Sequence, residues 1–405
     1  MSRKDTYIID AVRTPIGNFG GTLSKIRADD LAAHVIKTLI SRYDFDAGQI
    51  DDVIMGCANQ AGEDNRNIAR MALLLAGIPF SVPGETVNRL CASGMSAVIH
   101  AHRAIQSDDG ELFIAGGVEH MTRGPWVISK ASKPFGRDSK MEDSSFGWRF
   151  INPKIEEIYG TEGMGQTAEN IAEKYNINRQ DQDAFAARSQ KQASAAQKNG
   201  RFNTEIEFVE IPQQKSEPVK FSEDEFIKPN TSLDGLEKLR PAFKKDGTVT
   251  AGNSSGLNDG AAAMLIASEE GMNVHGLKPL ARVITSAVVG VEPRIMGMGP
   301  VHASKKALKK AGLTMKDMDV IELNESFSAQ SLACIRKLEL EDDDPRINLN
   351  GGAIALGHPL GMSGTRILQT AAIELQIKNK KYALATMCVG VGQGYAVIIE
   401  NINNY

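Results

Sequence analysis

Three reactive side chains stand out by their surroundings in this 405-residue chain: Cys91, His358 and Cys388. Cys91 lies in Asn88-Arg89-Leu90-Cys91-Ala92-Ser93-Gly94-Met95-Ser96, where an extended run (Glu85 to Leu90) meets the start of an expected helix (Ala92 to Gln106). A cysteine at a helix N-terminus faces unpaired N–H groups and the positive end of the helix dipole, both of which favour thiolate over thiol. The small neighbours Ala92, Ser93 and Gly94 leave room for a thioester to approach. His358 sits in the run Asn350 to Gly364, where five glycines surround one imidazole in a loop too poor in apolar surface to be core. Cys388 closes an expected buried strand just before the glycine-rich turn Val389 to Gly394. Asn324 follows the expected strand Val320 to Leu323, at the strand end where α/β proteins bind ligands, and offers a hydrogen-bond donor. A free cysteine taken singly is ordinarily a small core hydrophobe. Together these residues describe a Cys nucleophile activated by His, with a second thiol able to move a proton to and from carbon, and this chemistry calls for no metal.

Such residues, scattered over most of the chain, have to be brought together by the fold. Strands are expected at Thr6 to Ala11, Ile50 to Met55 and Glu111 to Val118, with helices at Ala28 to Ser41 and Ile68 to Ala76. The pattern recurs. Asp319 to Leu323 answers Asp52 to Met55, Ile347 to Asn350 answers Val87 to Leu90, and Leu384 to Met387 answers Leu112 to Ala115, in the same order. Two copies of one α/β unit packed about a pseudo-twofold axis would bring corresponding strand ends together, and with them Cys91 and the C-terminal residues. The expected organisation is an N-terminal half (1–118), an inserted loop region (119–268) and a C-terminal half (269–405). The insertion has amphipathic stretches at Thr167 to Tyr175 and Arg179 to Asn199, and polar, Pro-containing loops of the kind that carry ligands beside an α/β core. Its last part, Thr250 to Gly260, reads either as a cradle for an amide-bearing ligand or as a plain turn.

Composition excludes several classes. With 42% hydrophobic and 24% charged residues and a net charge of -4, the chain has no global pull toward nucleic acid or an anionic membrane. Four well-separated cysteines (Cys57, Cys91, Cys334, Cys388) with no C-x-x-C pair suit a reducing compartment rather than a zinc ribbon or a disulfide framework. No signal-peptide core or membrane-length apolar run is present, and the Asn-Asn-Tyr ending is no peroxisomal address, so a cytoplasmic enzyme is expected.

The motifs NRLCASGM, GMGQTAENIA, KLRPAFKKDGTVTAGNSSGLNDGAAA, NESFS, GGAIALGHPLGMSG and CVGVGQG together resemble the thiolase family of acetyl-CoA acyltransferases over nearly the whole length. The resemblance implies Cys91 as the acyl-enzyme nucleophile, His358 as its base and Cys388 as the second proton carrier. Asn324 would hold a water that forms one oxyanion hole with His358, and the amides of Cys91 and Gly390 would form the other. It further implies that Met164, Ser255 and Phe327 lie along the substrate and pantetheine channel, with Lys228 near the CoA phosphates and the inserted region as the CoA arm. CoA is then a co-substrate and no cofactor is permanently bound. The partners implied are an acyl-CoA, CoA and a second copy of the chain, as a homodimer or dimer of dimers.

Many biosynthetic acetoacetyl-CoA thiolases have His at Gly163, Ala at Ser326 and Gly at Val391, which argues against that role. The loop CANQAGEDNRNIARMALLLAG and the segment SSFGWRFINP resemble thiolases that cleave 3-oxoadipyl-CoA in aromatic-compound catabolism. Such an acyl chain ends in a carboxylate, for which Arg149 or Arg66 is a candidate receptor, unless either only pairs a protein carboxylate such as Glu63 or Asp64. The competing readings are a general fatty 3-ketoacyl-CoA or acetoacetyl-CoA thiolase, a noncatalytic acyl-CoA or lipid carrier on the same fold, and a cysteine hydrolase. A carrier would not need all three reactive residues, and a hydrolase has no use for Cys388 or for a CoA arm.

Overall fold

The computed structural model describes residues 4–402, and the Asn403 to Tyr405 ending lies outside them. The first half supplies β1 (Thr6–Arg13), α1 (Ala28–Ser41), β2 (Asp52–Gly56), α2 (Ile68–Leu75), β3 (Gly84–Val87), α3 (Ser93–Gln106) and β4 (Leu112–His120), and the strand β5 (Asn258–Ser268) returns to it later. Between them the insertion carries α4 (Met164–Lys174) and α5 (Arg179–Lys198). The second half supplies β6 (Ala281–Gly290), α6 (Gly299–Ala311), β7 (Val320–Leu323), α7 (Ser328–Lys337), α8 (Leu360–Ile377), β8 (Tyr382–Val389) and β9 (Gln393–Glu400). Local chemistry sets several of these ends. Asn67 and Asn178, for example, cap α2 and α5 by accepting the N–H groups of Arg70 and Asp181.

The internal repeat is visible in the strand pairing. In the first half the order is β3-β2-β4-β5-β1, with β2 parallel to β3 and β4, and β5 antiparallel to β4 and β1. The second half repeats this as β7-β8-β9-β6, with β7 parallel to β8, and β9 antiparallel to β8 and β6. The expected counterpart of β3 is reduced to a single parallel bridge, Ile321 to Ile347, because the chain turns at Asn348, whose φ is 47°. The halves do not remain separate sheets: β1 and β6 pair antiparallel through Tyr7 with Arg282 and Ile8 with Ala281, giving one ten-stranded sheet whose tenth strand is the short Gly17–Asn18 beside β5. Equivalent first strands that meet antiparallel are what a pseudo-twofold between them requires. All eleven residues of β5 are buried, so the end of the 119–268 segment is an inner strand of the N-terminal half's sheet.

Side-chain packing defines the layers. One apolar cluster joins α1 and α2 to the outer face of the first half-sheet, a second joins α6 and α7 to the second half-sheet, and a third lies between them around α3 and α8. These two central helices occupy equivalent positions in the repeat, and every α8 residue from Gly361 to Leu375 is buried. Glycine permits the contact: a Cβ at Gly94 would lie 2.4 Å from the Gly361 carbonyl oxygen, and one at Gly364 would lie 2.5 Å from the Met95 nitrogen. The N-terminal ends of α3 and α8 are thereby pressed together, each just downstream of one reactive residue.

Candidate active site

Cys91 stands in a single 3₁₀ turn (Leu90–Ala92) that precedes α3. Leu90 is held at φ 46°, a left-handed conformation that costs a leucine about 1 kcal/mol or more. Side chains fix it there: Asn88 Oδ1 accepts the Leu90 N–H at 2.8 Å, and Ser93 Oγ donates to the Leu90 carbonyl at 2.7 Å while accepting the Arg89 N–H at 2.9 Å. The turn delivers the Cys91 sulfur, only partly exposed, to the β8–β9 hairpin of the other half. There Val391 (φ 61°) and Gly392 (φ 82°) form a tight left-handed turn, and the Gly390 N–H and the Cys91 N–H both act on the Cys91 sulfur. These are the two donors that the resemblance assigns to one oxyanion hole.

The expected helix-stabilised thiolate is not the resting state. Burial pushes the Cys91 thiol up to about 12, with the nearby Cys388 adding to the rise, and the two N–H groups only partly offset it. The reason is positional. The α-helix begins at Ser93, two residues later than the cysteine, so the dipole acts across an intervening turn while desolvation acts directly.

His358 is equally removed from charge. Burial and the nearby Arg366 guanidinium hold its imidazole down to about 3, so it is neutral. Its ring orientation follows from hydrogen-bond counting. Ser363 Oγ donates its one proton to the Pro359 carbonyl (2.8 Å) and therefore accepts from His358 Nδ1 at 2.6 Å. This leaves the Nε2 lone pair free, and Asn324 Nδ2 approaches it at 3.5 Å. Asn258 in β5 anchors the loop by accepting the His358 N–H at 3.0 Å and donating to the Gly17 carbonyl at 3.0 Å.

Cys388 is fully buried at the end of β8, its thiol pushed up to about 12 by burial and eased by Ser326. Ser326 Oγ lies 3.3 Å from Cys388 Sγ and takes a 3.2 Å bond from Asn324 Nδ2. Cys388, Ser326, Asn324 and His358 thus form one hydrogen-bonded row, with Cys91 and the Gly390 N–H beside Cys388.

Met164 lies near this centre, since a Cβ at Gly390 would lie 4.0 Å from its Sδ, while Phe327, next to Ser326 in the chain, meets Phe243 edge-on with ring centroids 6.1 Å apart. The Ser255 N–H donates to the Ser326 carbonyl at 3.0 Å, and Gly256 packs on Phe226, over which the exposed Lys228 places its ammonium 4.9 Å from the ring centroid. The Thr250 to Gly260 run turns much of its polarity inward, with Asn253 accepting the Thr250 N–H and donating to Asp183. Arg66 stands exposed on a left-handed residue (φ 65°), away from the row. Arg149 is half-buried and donates to the Ser144 carbonyl at 2.6 Å. Glu63 is paired with neither, since it takes Arg123 and Arg27, and Asp64 accepts backbone N–H groups.

Sequence reasoning missed four supports: Ser326 as a link, Ser363, Asn258 and Glu119. Glu119 is the next-to-last residue of β4, charged where the strand up to it is apolar, but its type alone does not say what it holds. Its carboxylate accepts the N–H groups of Ala58 (3.0 Å), Asn59 (3.0 Å) and Gly361 (2.9 Å), and burial nevertheless pushes it up to about 7. It ties the loop after β2 to the start of α8, three residues past His358.

With this geometry in view, the chain was compared with known proteins. Residues 6–270 match the family model described as thiolase, N-terminal domain, and residues 277–401 the one described as thiolase, C-terminal domain. The chain is 56% identical over 400 residues to a beta-ketoadipyl-CoA thiolase of Acinetobacter baylyi, covering 98% of this chain and 100% of that protein. It is 54% identical, with the same coverage, to the Escherichia coli K12 protein named 3-oxoadipyl-CoA/3-oxo-5,6-dehydrosuberyl-CoA thiolase. Among solved structures, human mitochondrial 3-ketoacyl-CoA thiolase superposes with a TM-score of 0.91 at 41% identity, covering 98% of this chain and 99% of that one.

Proposed function

The chain belongs to the thiolase family, and from that premise we propose that it cleaves 3-oxoadipyl-CoA with CoA to give acetyl-CoA and succinyl-CoA. The observation that carries the chemistry is the buried row from His358 through Asn324 and Ser326 to Cys388, with Cys91 and its two N–H donors beside it. The relatives' names support the substrate, and both acyl groups named there are dicarboxylic.

In this reading His358 Nε2 takes the Cys91 proton as the sulfur attacks the C3 carbonyl, because neither a thiolate nor an imidazolium is stable in the resting site. The developing oxyanion is met by fixed donors rather than by reorganising water. Breaking the C2–C3 bond leaves the acyl group on Cys91 and an acetyl-CoA enolate, which the Cys388 thiol protonates at carbon. The Cys388 thiolate then takes the proton of an incoming CoA, whose sulfur attacks the Cys91 thioester and releases succinyl-CoA, and the expelled Cys91 thiolate recovers its proton from His358. Asn324 suits the water-holding role, because its buried Oδ1 has no hydrogen-bond partner among the described residues. Met164, Phe327, Ser255 and Lys228 are then the substrate and pantetheine contacts, a reading supported by Met164 beside Gly390 and by the Ser255 N–H on the Ser326 carbonyl, with the 119–268 insertion as the CoA-binding region.

A homodimer or dimer of dimers in the cytoplasm completes the proposal, and exposed Trp126 and Phe135 on the insertion suit burial between subunits. No helix among the described residues is long and apolar enough to cross a membrane. The test is product analysis with 3-oxoadipyl-CoA, with and without CoA. Equimolar acetyl-CoA and succinyl-CoA, formed beyond one turnover only when CoA is present and with a higher kcat/KM than for 3-oxohexanoyl-CoA, is the expected result. Free succinate formed without CoA would make the protein a hydrolase, and a kcat/KM ratio at or below unity would move it to the fatty-acid branch.

A further inference from the structure

A dicarboxylic acyl chain brings a carboxylate into the site, and burying it unpaired is costly. Its receptor needs a permanent positive charge, unused donors and a position fixed relative to Cys91. The cations around the site differ in these respects. Arg123 and Arg27 are committed to Glu63, and Arg366 lies 3.4 Å from Glu322. Arg89 donates to Ser96 Oγ at 3.0 Å and Gln393 Oε1 at 2.9 Å, with its plane over Tyr395. Arg66 is exposed, where water screens a charge pair. Arg149 is half-buried, has no carboxylate partner among the described residues, and gives one Nη1 bond to the Ser144 carbonyl.

We infer that Arg149 receives the terminal carboxylate of the acyl chain, a reading that rests on the dicarboxylic substrate proposed above. Its placement follows from shared acceptors. The Ser144 carbonyl that takes Arg149 also takes Asn59 Nδ2 at 3.1 Å, and Asn59 bonds Ser144 Oγ at 3.0 Å. The Asn59 and Ala58 N–H groups are held by Glu119, which also holds Gly361 beside His358. The Ala58 carbonyl takes Asn88 Nδ2 at 3.0 Å, three residues before Cys91. Arg149 is therefore carried on the loop that is tied to both catalytic turns. With one N–H spent on Ser144, its remaining donors can still fork onto a carboxylate. Trp148 beside it is fixed by a 3.2 Å indole bond to the Glu162 carbonyl, and a Cβ at Gly163 would meet nothing within 4 Å, which leaves space for the chain next to Met164.

The test compares kcat/KM for 3-oxoadipyl-CoA and 3-oxohexanoyl-CoA in the wild type, Arg149→Gln, Arg149→Lys and Arg66→Gln. Arg149→Gln is expected to lower the ratio about 30-fold or more, through KM for the dicarboxylic substrate, because truncating one side of a desolvated charge pair costs that much. Arg149→Lys should restore part of the ratio, and Arg66→Gln should change it less than about threefold. In the wild type, replacing the terminal carboxylate of the substrate by its amide should cost a similar factor, a readout independent of any variant's folding. A wild-type ratio above unity that Arg149→Gln leaves intact, or an equal loss on both substrates, would overturn the assignment and leave the substrate reading standing. A wild type with no preference would overturn both.

Discussion

Around Cys388, Ser326, Asn324 and His358 the protein has assembled four buried side chains without a formal charge among them, and Cys91 stands partly exposed beside this row. The segment from Arg123 to Gly160 is built the other way: Trp126 is 71% exposed, Phe135 fully so, and its arginines hold carbonyls and carboxylates near the surface. The two regions meet at Asn59, which bonds Glu119 on one side and Ser144 on the other. In the proposed reaction, bond cleavage at C2–C3 is the same for every 3-oxoacyl chain, so its proton carriers can be sealed in a dry, pre-set row. Choosing the chain end would be a separate task, left to residues that can change without disturbing the packing of α3 against α8.

The first way to break this comparison is at Cys91. Cys91→Ser should lower turnover at least about 1000-fold with the fold unchanged, because a hydroxyl in this site is a far weaker nucleophile than a thiol that has only to lose one proton to His358. Near-normal turnover with a native circular dichroism spectrum would remove Cys91 from the reaction. Next in size is Cys388→Ala, expected to slow carbon–carbon cleavage about 100- to 10000-fold while sparing part of the acylation of Cys91 by an activated acyl-CoA. Equal loss in the two half-reactions, measured separately, would make Cys388 a packing residue.

The neutrality of the row has its own signature in pH. The imidazole of His358 is held down to about 3, against an ordinary value of 6.5. Below pH 6.5 the unfolded chain takes up a proton that the folded one refuses, so this group lowers stability as pH falls from 6.5 toward 3, by up to about 1.4 kcal/mol per pH unit. It contributes nothing above that window. The difference in unfolding free energy between the wild type and His358→Asn should therefore move against the wild type as the solution is acidified, and a difference flat from pH 7 to pH 4 would show that His358 titrates normally in the fold. The smallest effect is expected for Ser326→Ala, about 3- to 10-fold, confined to the steps that move the Cys388 proton, since one neutral hydrogen bond is lost. If acylation of Cys91 suffers equally, Ser326 acts on the whole row rather than on Cys388.

The same contrast governs what was legible in the sequence. Glycine-rich surroundings marked His358 and Cys388, and a strand–helix junction with small neighbours marked Cys91, because only unusual backbone can carry a side chain to a point where two halves meet, and the repeat of strand patterns predicted that meeting. The helix α1 and the matched strands β2, β4, β7 and β8 were readable from apolar periodicity. The Cys91 thiolate was misjudged, because a helix terminus is a local feature of the chain while the desolvation that opposes it comes from distant residues such as Cys388. The joining of the half-sheets through β1 and β6 was not legible either, since two backbone pairings leave no mark on side-chain pattern. Ser363, Asn258 and Glu119 act through hydrogen bonds to residues far away or to backbone, so their types alone carried no signal. Arg149 and Arg66 looked alike in sequence, and their exposure in the fold is what separates them.

The most direct test of the account is to mix the enzyme with 3-oxoadipyl-CoA in the absence of added CoA, quench the first turnover and map the acyl group by peptide mass spectrometry. The account predicts a succinyl thioester on Cys91, formed together with one equivalent of acetyl-CoA and discharged as succinyl-CoA when CoA is added. A succinyl group found on Cys388, or acetyl-CoA released with no adduct on Cys91, would contradict it.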